Sequence, residues 1–492
     1  MSNPTPMSPV LLSRYLGQQY PPTDQQAAVI GAEPGPLLVV AGAGAGKTET
    51  MAARVVWLVA NGYARPDEVL GLTFTRKAAQ EMGKRIRDRL GSLAANTDLV
   101  HRLDPSGELA DNLQVIAPSV STYDSYAGEL IREYGLLVPV EPDARLITDA
   151  ELHAIATDVV VNYSGGLITE MGSNPSLSTV VEDLLALTTA MGNELASPEW
   201  VRGHAHDFLA ETESYPMAPR ARVEFTKVLT NWRSKQEMRV NMLPLVEELA
   251  AELRRRGVVT FNEQMSVAAK LARDHKTVGA SQRSRYRVVM LDEYQDTSHA
   301  QRVLLRSLFG EGADPSLTVT AVGDPMQAIY GWRGATAANL AAFVEDFPST
   351  EGPAPKKQLT TSWRNPPEVL HLANGVSDAV LGTAENRAVA ALQARPAAEA
   401  GDVTLGFFPN QDTEIAYVAD ALAQEYQAAV QEGRALSAAA LVRKNRHSPL
   451  LAAALEERGV PYEIVGLAGL LDVPEVADTV AIATMLVRPD DT

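Results

Sequence analysis

Eight residues near the N-terminus, Ala41-Gly42-Ala43-Gly44-Ala45-Gly46-Lys47-Thr48, constrain the fold more than any other part of this chain. They follow an apolar run at residues 37–40 (LLVV), preceded by Pro34-Gly35-Pro36, which reads as a buried strand. They open a stretch at residues 47–60 in which Met51, Val55, Leu58 and Val59 share a helical face, and Asn61-Gly62 then supplies a stop. A glycine-rich turn between strand and helix lets backbone N–H groups converge on an anion, and the helix N-terminus adds its positive dipole. The stretch fits the phosphate-loop pattern with Ala41 in the first glycine position. Gly42, Ala43, Gly44, Ala45 and Gly46 would wrap the phosphates, Lys47 would bridge the β- and γ-phosphates, and the Thr48 hydroxyl would ligate Mg²⁺.

A unit of this kind needs parallel neighbours, and the sequence offers them. Residues 69–74 (VLGLTF) read as a strand and residues 77–90 as a helix, so strand and helix alternate as in an α/β parallel sheet. Strand signals return at 288–291 (VVML) and 317–322. Between about 135 and 283 the chain is rich in Ala, Leu and Glu at helical spacing, for example at 245–256 with Pro244 suiting a helix start. This reads as a helical insertion. Residues 348–357 (PSTEGPAPKK) read as a linker or hinge. Beyond them, 403–408 and 438–442 read as strands and 414–432 and 448–458 as helices, which makes a second α/β unit.

With 492 residues, more than one domain is expected. The chain has no cysteine, which removes disulfides, thiolate zinc sites, cysteine nucleophiles and cysteine-ligated clusters. No signal-peptide pattern opens the sequence and no apolar run approaches a bilayer span, so a cytoplasmic protein is expected. A net charge of −18 argues against a general polyanion binder. Residues 73–102 nevertheless carry seven basic side chains (Arg76, Lys77, Lys84, Arg85, Arg87, Arg89, Arg102) against three acids (Glu81, Asp88, Asp98), and a solvated helix face competes with a binding surface there.

A phosphate loop also needs a carboxylate for the metal and a group to activate water. Asp292-Glu293 emerges at the C-terminal end of the 288–291 strand, where ligands of open α/β sheets collect. Asp292 would hold Mg²⁺ and Glu293 would orient and deprotonate the attacking water.

These residues extend into a resemblance. Asp292-Glu293-Tyr294-Gln295-Asp296-Thr297 resembles the DEFQDT signature of the UvrD/Rep/PcrA-like DNA helicases of superfamily 1A. Residues 322–335 (VGDPMQAIYGWRGA) resemble their VGDDDQSIYGWRGA motif, 73–79 (TFTRKAA) resembles TFTNKAA, and 24–29 (DQQAAV) resembles the adenine-reading Q motif. Ser362-Trp363-Arg364-Asn365 stands where the family has Asn-Tyr-Arg-Ser. Within the family, residues 21–63 and 69–82 look most like AdnB, one subunit of the actinobacterial AdnAB helicase–nuclease that processes double-strand breaks.

The resemblance implies an ATP-dependent, Mg²⁺-requiring DNA helicase that moves 3′ to 5′ on single-stranded DNA and unwinds double-stranded DNA in repair, with an AdnA-like helicase–nuclease subunit as a partner. A stand-alone UvrD-like repair helicase and a non-hydrolysing DNA-binding scaffold are the alternatives. By resemblance, Gln25 reads the adenine edge and Trp363 stacks on the adenine. Gln327 senses the γ-phosphate, and Arg364 is an arginine finger reaching across from the second α/β unit. Phe74, Tyr330 and Trp332 meet single-stranded bases, a contact that tolerates any sequence. The fold implied is a RecA-like P-loop motor domain (1–135 with 276–347), a helical insertion domain (136–275) and a partial second RecA-like domain (348–492). The family's further helical domain and last motifs are not found before Thr492, so these residues alone are expected to bind ATP and hydrolyse little of it.

The sequence also departs from the family. Glu49 replaces an Arg after Gly-Lys-Thr, so no phosphate contact is expected there. Asp124 replaces a His near DNA, which an acid would disfavour. Pro325 and Met326 replace acidic residues.

Overall fold

The computed structural model describes residues 6–115, 117–138, 141, 143–165, 175–215, 225–310, 314–381, 390–465 and 474–487. Two compact units are present, Met1–Gly401 and Asp402–Thr492.

The first unit is built on a six-stranded sheet: β1 (Leu37–Ala41), β2 (Val69–Thr73), β3 (Ser119–Thr122), β4 (Val288–Leu291), β5 (Thr318–Gly323) and β6 (Lys356–Leu359). The strand order is β3-β2-β4-β5-β1-β6 and every pairing is parallel. All five residues of β1 are buried, and so are all those of β2, β4 and β5, as expected where helices cover both faces. The alternation of side chains along each strand divides the core in two. Leu38, Val40, Leu70, Leu72, Val289 and Leu291 face one apolar cluster, closed by helices Tyr123–Tyr134, Phe261–Asp274 and His299–Leu305. Leu37, Val39, Val69, Val288 and Met290 face the other, closed by Lys47–Ala60 and Arg76–Ala95. The fold is α/β with a central parallel sheet.

Buried Arg54, on the helix Lys47–Ala60, donates to the carbonyls of Val29, Ile30, Ala32 and Glu33 and to Thr320 Oγ1. That cage supplies acceptors for its donors, as a buried guanidinium requires. It also ties the end of the helix Asp24–Ile30 to β5.

Helices Asp149–Asn162, Leu177–Asn193, Pro198–Glu213 and Lys227–Arg256 enclose an apolar cluster of their own. Pro244 does not start a helix. It lies inside the 30-residue helix Lys227–Arg256. An interior proline costs about 3 kcal/mol, offset here by burial of Met242, Leu243, Leu245, Val246, Leu249 and Leu253 around it.

Two other expectations need correction. The stretch 348–357 is not a linker between units: it turns at Ser349–Gly352 and then enters β6, which pairs with β1. The first compact unit continues to Gly401, past the expected boundary at 347. Lysine and proline at an exposed edge suit a strand that must not recruit another chain.

In the unit Asp402–Thr492, helices Gln411–Glu432, Ser448–Glu456 and Pro474–Val487 are present. The first two pack through Ala419, Leu451 and Leu455. Residues 403–408 and 438–442 form neither strand nor helix and join no ladder among the described residues, and Leu405, Phe407 and Leu441 are exposed. A strand is completed only by a neighbour that takes its N–H and C=O groups.

Candidate nucleotide and nucleic-acid site

Because the sheet is wholly parallel, β2, β4, β5 and β1 end on one edge, and the sequence-predicted site residues follow those ends. After β1, the loop reaches Gly46, which takes a left-handed conformation (φ 78°) as the N-cap of Lys47–Ala60. Gly44 is also left-handed (φ 74°), and a Cβ there would lie 2.7 Å from Ser362 Oγ. Glycine is required at this close approach. Fourteen residues of helix stand behind the loop, with their positive end toward it.

One strand beyond β5, β4 delivers Asp292 and Glu293. Asp292 is 5% exposed, and its Oδ1 is buried without a hydrogen-bond partner. Burial pushes its carboxyl up to about 7, helped by the negative charge of Glu293 and opposed by Lys47. Glu293 sits at φ 50° and ψ 41°, a left-handed conformation that costs a non-glycine residue about 1–3 kcal/mol. Its Oε2 lies 3.2 Å from Lys47 Nζ. Lys47 and Glu293 thus pair although they lie 246 positions apart in sequence, with Asp292 beside Glu293 at the end of β4.

Beyond β6 the chain folds over the loop. Trp363 N–H donates to the Gly44 carbonyl at 2.9 Å, and the Arg364 Cβ would be 2.8 Å from a Cβ on Gly44. Arg364 therefore belongs to the same compact unit as the phosphate loop; it does not reach over from the second unit. The cause is β6, whose pairing with β1 carries residues 360–364 to the loop.

Gln25 is held by Thr360, donating to its Oγ1 at 2.9 Å and accepting from its N–H at 2.8 Å. Trp363 presents a buried indole N–H with no partner, and its ring centroid is 6.2 Å from that of Tyr20. Sequence reading missed Tyr20 and Thr360. The aromatic five positions before Gln25 was the available signal for the first; for the second there was none.

Phe74, just past β2, stacks on Tyr330 with centroids 6.0 Å apart and planes 10° from parallel, and it touches Tyr123 at 5.0 Å. Phe74 and Tyr330 are half-buried, whereas Trp332 is 73% exposed. The Arg333 guanidinium lies 5.3 Å from the Tyr330 centroid and 4.5 Å from that of Trp332, within cation–π range. Asp124 is half-buried nearby; burial raises its carboxyl and Arg333 opposes the shift.

The departures now have local explanations. Glu49 pairs with Arg85 at 3.3 Å and with Arg89, which also takes up part of the positive charge of residues 73–102. Pro325 opens the short turn Pro325–Gln327, where proline at the first position loses nothing. Asp324 accepts from Met326 N–H at 2.9 Å and from Gln327 Nε2 at 2.6 Å.

Residues 22–348 match the UvrD/REP helicase N-terminal domain. The chain belongs to the UvrD/REP helicase family. It is similar to the "ATP-dependent DNA helicase UvrD1" of Mycobacterium tuberculosis (strain ATCC 25618 / H37Rv), 28% identical over 483 residues, covering 95% of this chain and 52% of that protein. It is also similar to the "ATP-dependent DNA helicase PcrA" of Bacillus subtilis (strain 168), 24% identical over 469 residues, covering 95% and 53%. The chain spans about half the length of the curated relatives it matches. Among the described residues of this UvrD/REP family member, no helix is long and apolar enough to cross a membrane.

Proposed function

We propose that this chain is the ATP-binding part of a DNA-stimulated helicase that couples ATP hydrolysis to movement on single-stranded DNA and unwinding of double-stranded DNA in repair. The observation that carries the proposal is the convergence of Lys47, Asp292 and Glu293 on the sheet edge that also bears Tyr330 and Trp332. Lys47 and the N–H groups of residues 42–46 bind the β- and γ-phosphates, Gln25 exchanges Thr360 for the adenine edge, and Trp363 stacks on the adenine. Glu293 takes the proton of the attacking water, Gln327 senses the γ-phosphate, and Arg364 stabilises charge on the transferring phosphoryl group.

Mg²⁺ fits the residues present. It binds through one or two protein oxygens together with substrate phosphates, and Asp292 offers a buried carboxylate oxygen with no other partner. Asp292 and the Thr48 hydroxyl would hold it, and it would neutralise charge on the phosphate oxygens. Phe74, Tyr330 and Trp332 meet the bases, with Trp332 foremost because its face is open.

Movement 3′ to 5′ and pairing with an AdnA-like helicase–nuclease subunit rest on resemblance, the latter on residues 21–63 and 69–82. Association of the full-length protein with such a subunit would favour the AdnB-like reading; a solitary active protein would favour the stand-alone UvrD-like one. The presence of Lys47, Thr48, Asp292, Glu293, Gln327 and Arg364 weighs against a non-hydrolysing scaffold. Glu293→Gln in the full-length protein is expected to keep ATP binding within about threefold and to lower DNA-stimulated hydrolysis at least about 100-fold, in line with general-base losses. Near-normal turnover would refute Glu293 as the base.

A further inference from the structure

One buried side chain joins the two halves of the site, and neither the phosphate chemistry nor the base stacking uses it. Gln295 is 1% exposed, two residues after Glu293 in the short turn Tyr294–Asp296. Its Nε2 donates to Glu293 Oε2 at 2.8 Å and to Asp296 Oδ2 at 3.3 Å. Its Oε1 accepts from the Asp324 N–H at 3.0 Å. Both amide hydrogens and the carbonyl are therefore engaged, with a carboxylate on each side of the nitrogen. Asp296 in turn uses its other oxygen, Oδ1, to accept from the N–H groups of Ile329 at 3.1 Å and Tyr330 at 3.4 Å.

The path is continuous. It runs from Lys47 to Glu293, Gln295, Asp296 and the backbone of Tyr330, whose ring stacks on Phe74 and lies within cation–π range of Arg333. A branch passes from the Gln295 carbonyl to Asp324, whose Oδ2 holds Gln327. Every link is a hydrogen bond or an ion pair, and the glutamine is the one neutral group between two carboxylates. Its neutrality matters, because a third acid there would face both, and an apolar group would leave Glu293 and Asp296 to repel each other without a shared donor. The amide also packs closely on β5: a Cβ on Gly323 would lie 2.6 Å from Gln295 Oε1.

We infer that Gln295 is a positioning residue that holds the Glu293 carboxylate and registers, through Asp296, the position of the Tyr330–Trp332 segment. Single-stranded DNA that moves this segment changes the pull on Asp296 and so the placement of the base. The inference rests on the helicase reading above. It makes Gln295, which touches neither phosphate nor DNA, a determinant of how strongly DNA accelerates hydrolysis.

The test uses two near-isosteric variants of the full-length protein. Gln295→Met removes all three hydrogen bonds. Asp296→Asn keeps an oxygen for Tyr330 but can turn an amide donor against the Gln295 donor. ATP hydrolysis is measured with and without single-stranded DNA, together with ATP affinity, DNA affinity and thermal melting. In both variants the ratio of DNA-stimulated to DNA-free kcat is expected to fall about tenfold or more, with both affinities within about threefold of the parent. Adding Trp332→Ala to Gln295→Met should then lower the stimulation little further, because residues acting along one path are non-additive. An unchanged stimulation ratio overturns the inference, and so does a parallel fall of both rates with the melting temperature. If Gln295→Met melts below the assay temperature, Asp296→Asn alone decides. A parent protein without DNA-stimulated hydrolysis would instead overturn the helicase reading itself, so the two failures are distinguishable.

Discussion

The phosphate edge and the aromatic segment share one end of the sheet but are built on opposite physical terms. At the phosphate edge Asp292 and Lys47 are largely withdrawn from water, Asp292 with an unpartnered oxygen, and the half-exposed Glu293 is held in a left-handed backbone conformation against Lys47. Charge chemistry gains from this, since a preorganised charge acts more strongly where water is excluded. At the aromatic segment the informative atoms face outward, with Trp332 open and Arg333 laid across two rings. A surface that must accept any base needs flat apolar faces rather than fixed donors. The contrast separates what must be placed once from what must be grasped and released repeatedly.

Removing the buried charge should break the first half of this contrast most severely. Asp292→Asn is expected to lower hydrolysis at least about 100-fold while stabilising the fold at alkaline pH. The Asp292 carboxyl is raised from 3.8 to about 7, so the wild-type chain loses stability as pH rises from about 4 through about 7 and the buried group is forced to ionise. A rise of this size corresponds to a ceiling of about 4 kcal/mol. Melting curves should therefore show the variant ahead of the parent at pH 8 and level with it near pH 4. Equal melting at both values would mean that the carboxylate is not penalised by burial.

A smaller effect is expected on the other side. Trp332→Ala should weaken single-strand binding about 5- to 150-fold, the equivalent of about 1–3 kcal/mol of stacking, and leave DNA-free ATP affinity intact. Unchanged affinity in a titration would return Trp332 to a packing role. A shift in ATP affinity alone would erase the distinction between the two regions.

The phosphate edge was legible in the sequence because its demands are local: a buried strand, a glycine loop, a helix, and a second apolar strand ending in Asp292-Glu293. The sheet's extent was not. Residues 356–359 carry two lysines behind a proline-rich stretch, and only pairing with β1 makes them a strand. That missed strand also misplaced Arg364, since β6 is what brings residues 360–364 to Gly44. Pro244 was read from its intrinsic preference, which tertiary burial overrides. Residues 403–408 and 438–442 show the reverse: a strand-like pattern with no neighbouring strand among the described residues to complete it. Trp332 and Tyr330 were identified through resemblance. The role inferred for Gln295 depends on contacts with Asp296 and Asp324, the latter 29 positions away, and no spacing rule points to it.

The proposed function requires that one sheet edge join phosphate chemistry to a surface for single-stranded DNA. Steady-state ATP hydrolysis by the full-length protein, measured with and without a single-stranded oligonucleotide of mixed sequence, tests it most directly. A rate at least about tenfold higher with the oligonucleotide is expected, about 1.4 kcal/mol off the barrier, and a stimulation that needs more oligonucleotide in Trp332→Ala. Hydrolysis that proceeds at the same rate with and without DNA would contradict it.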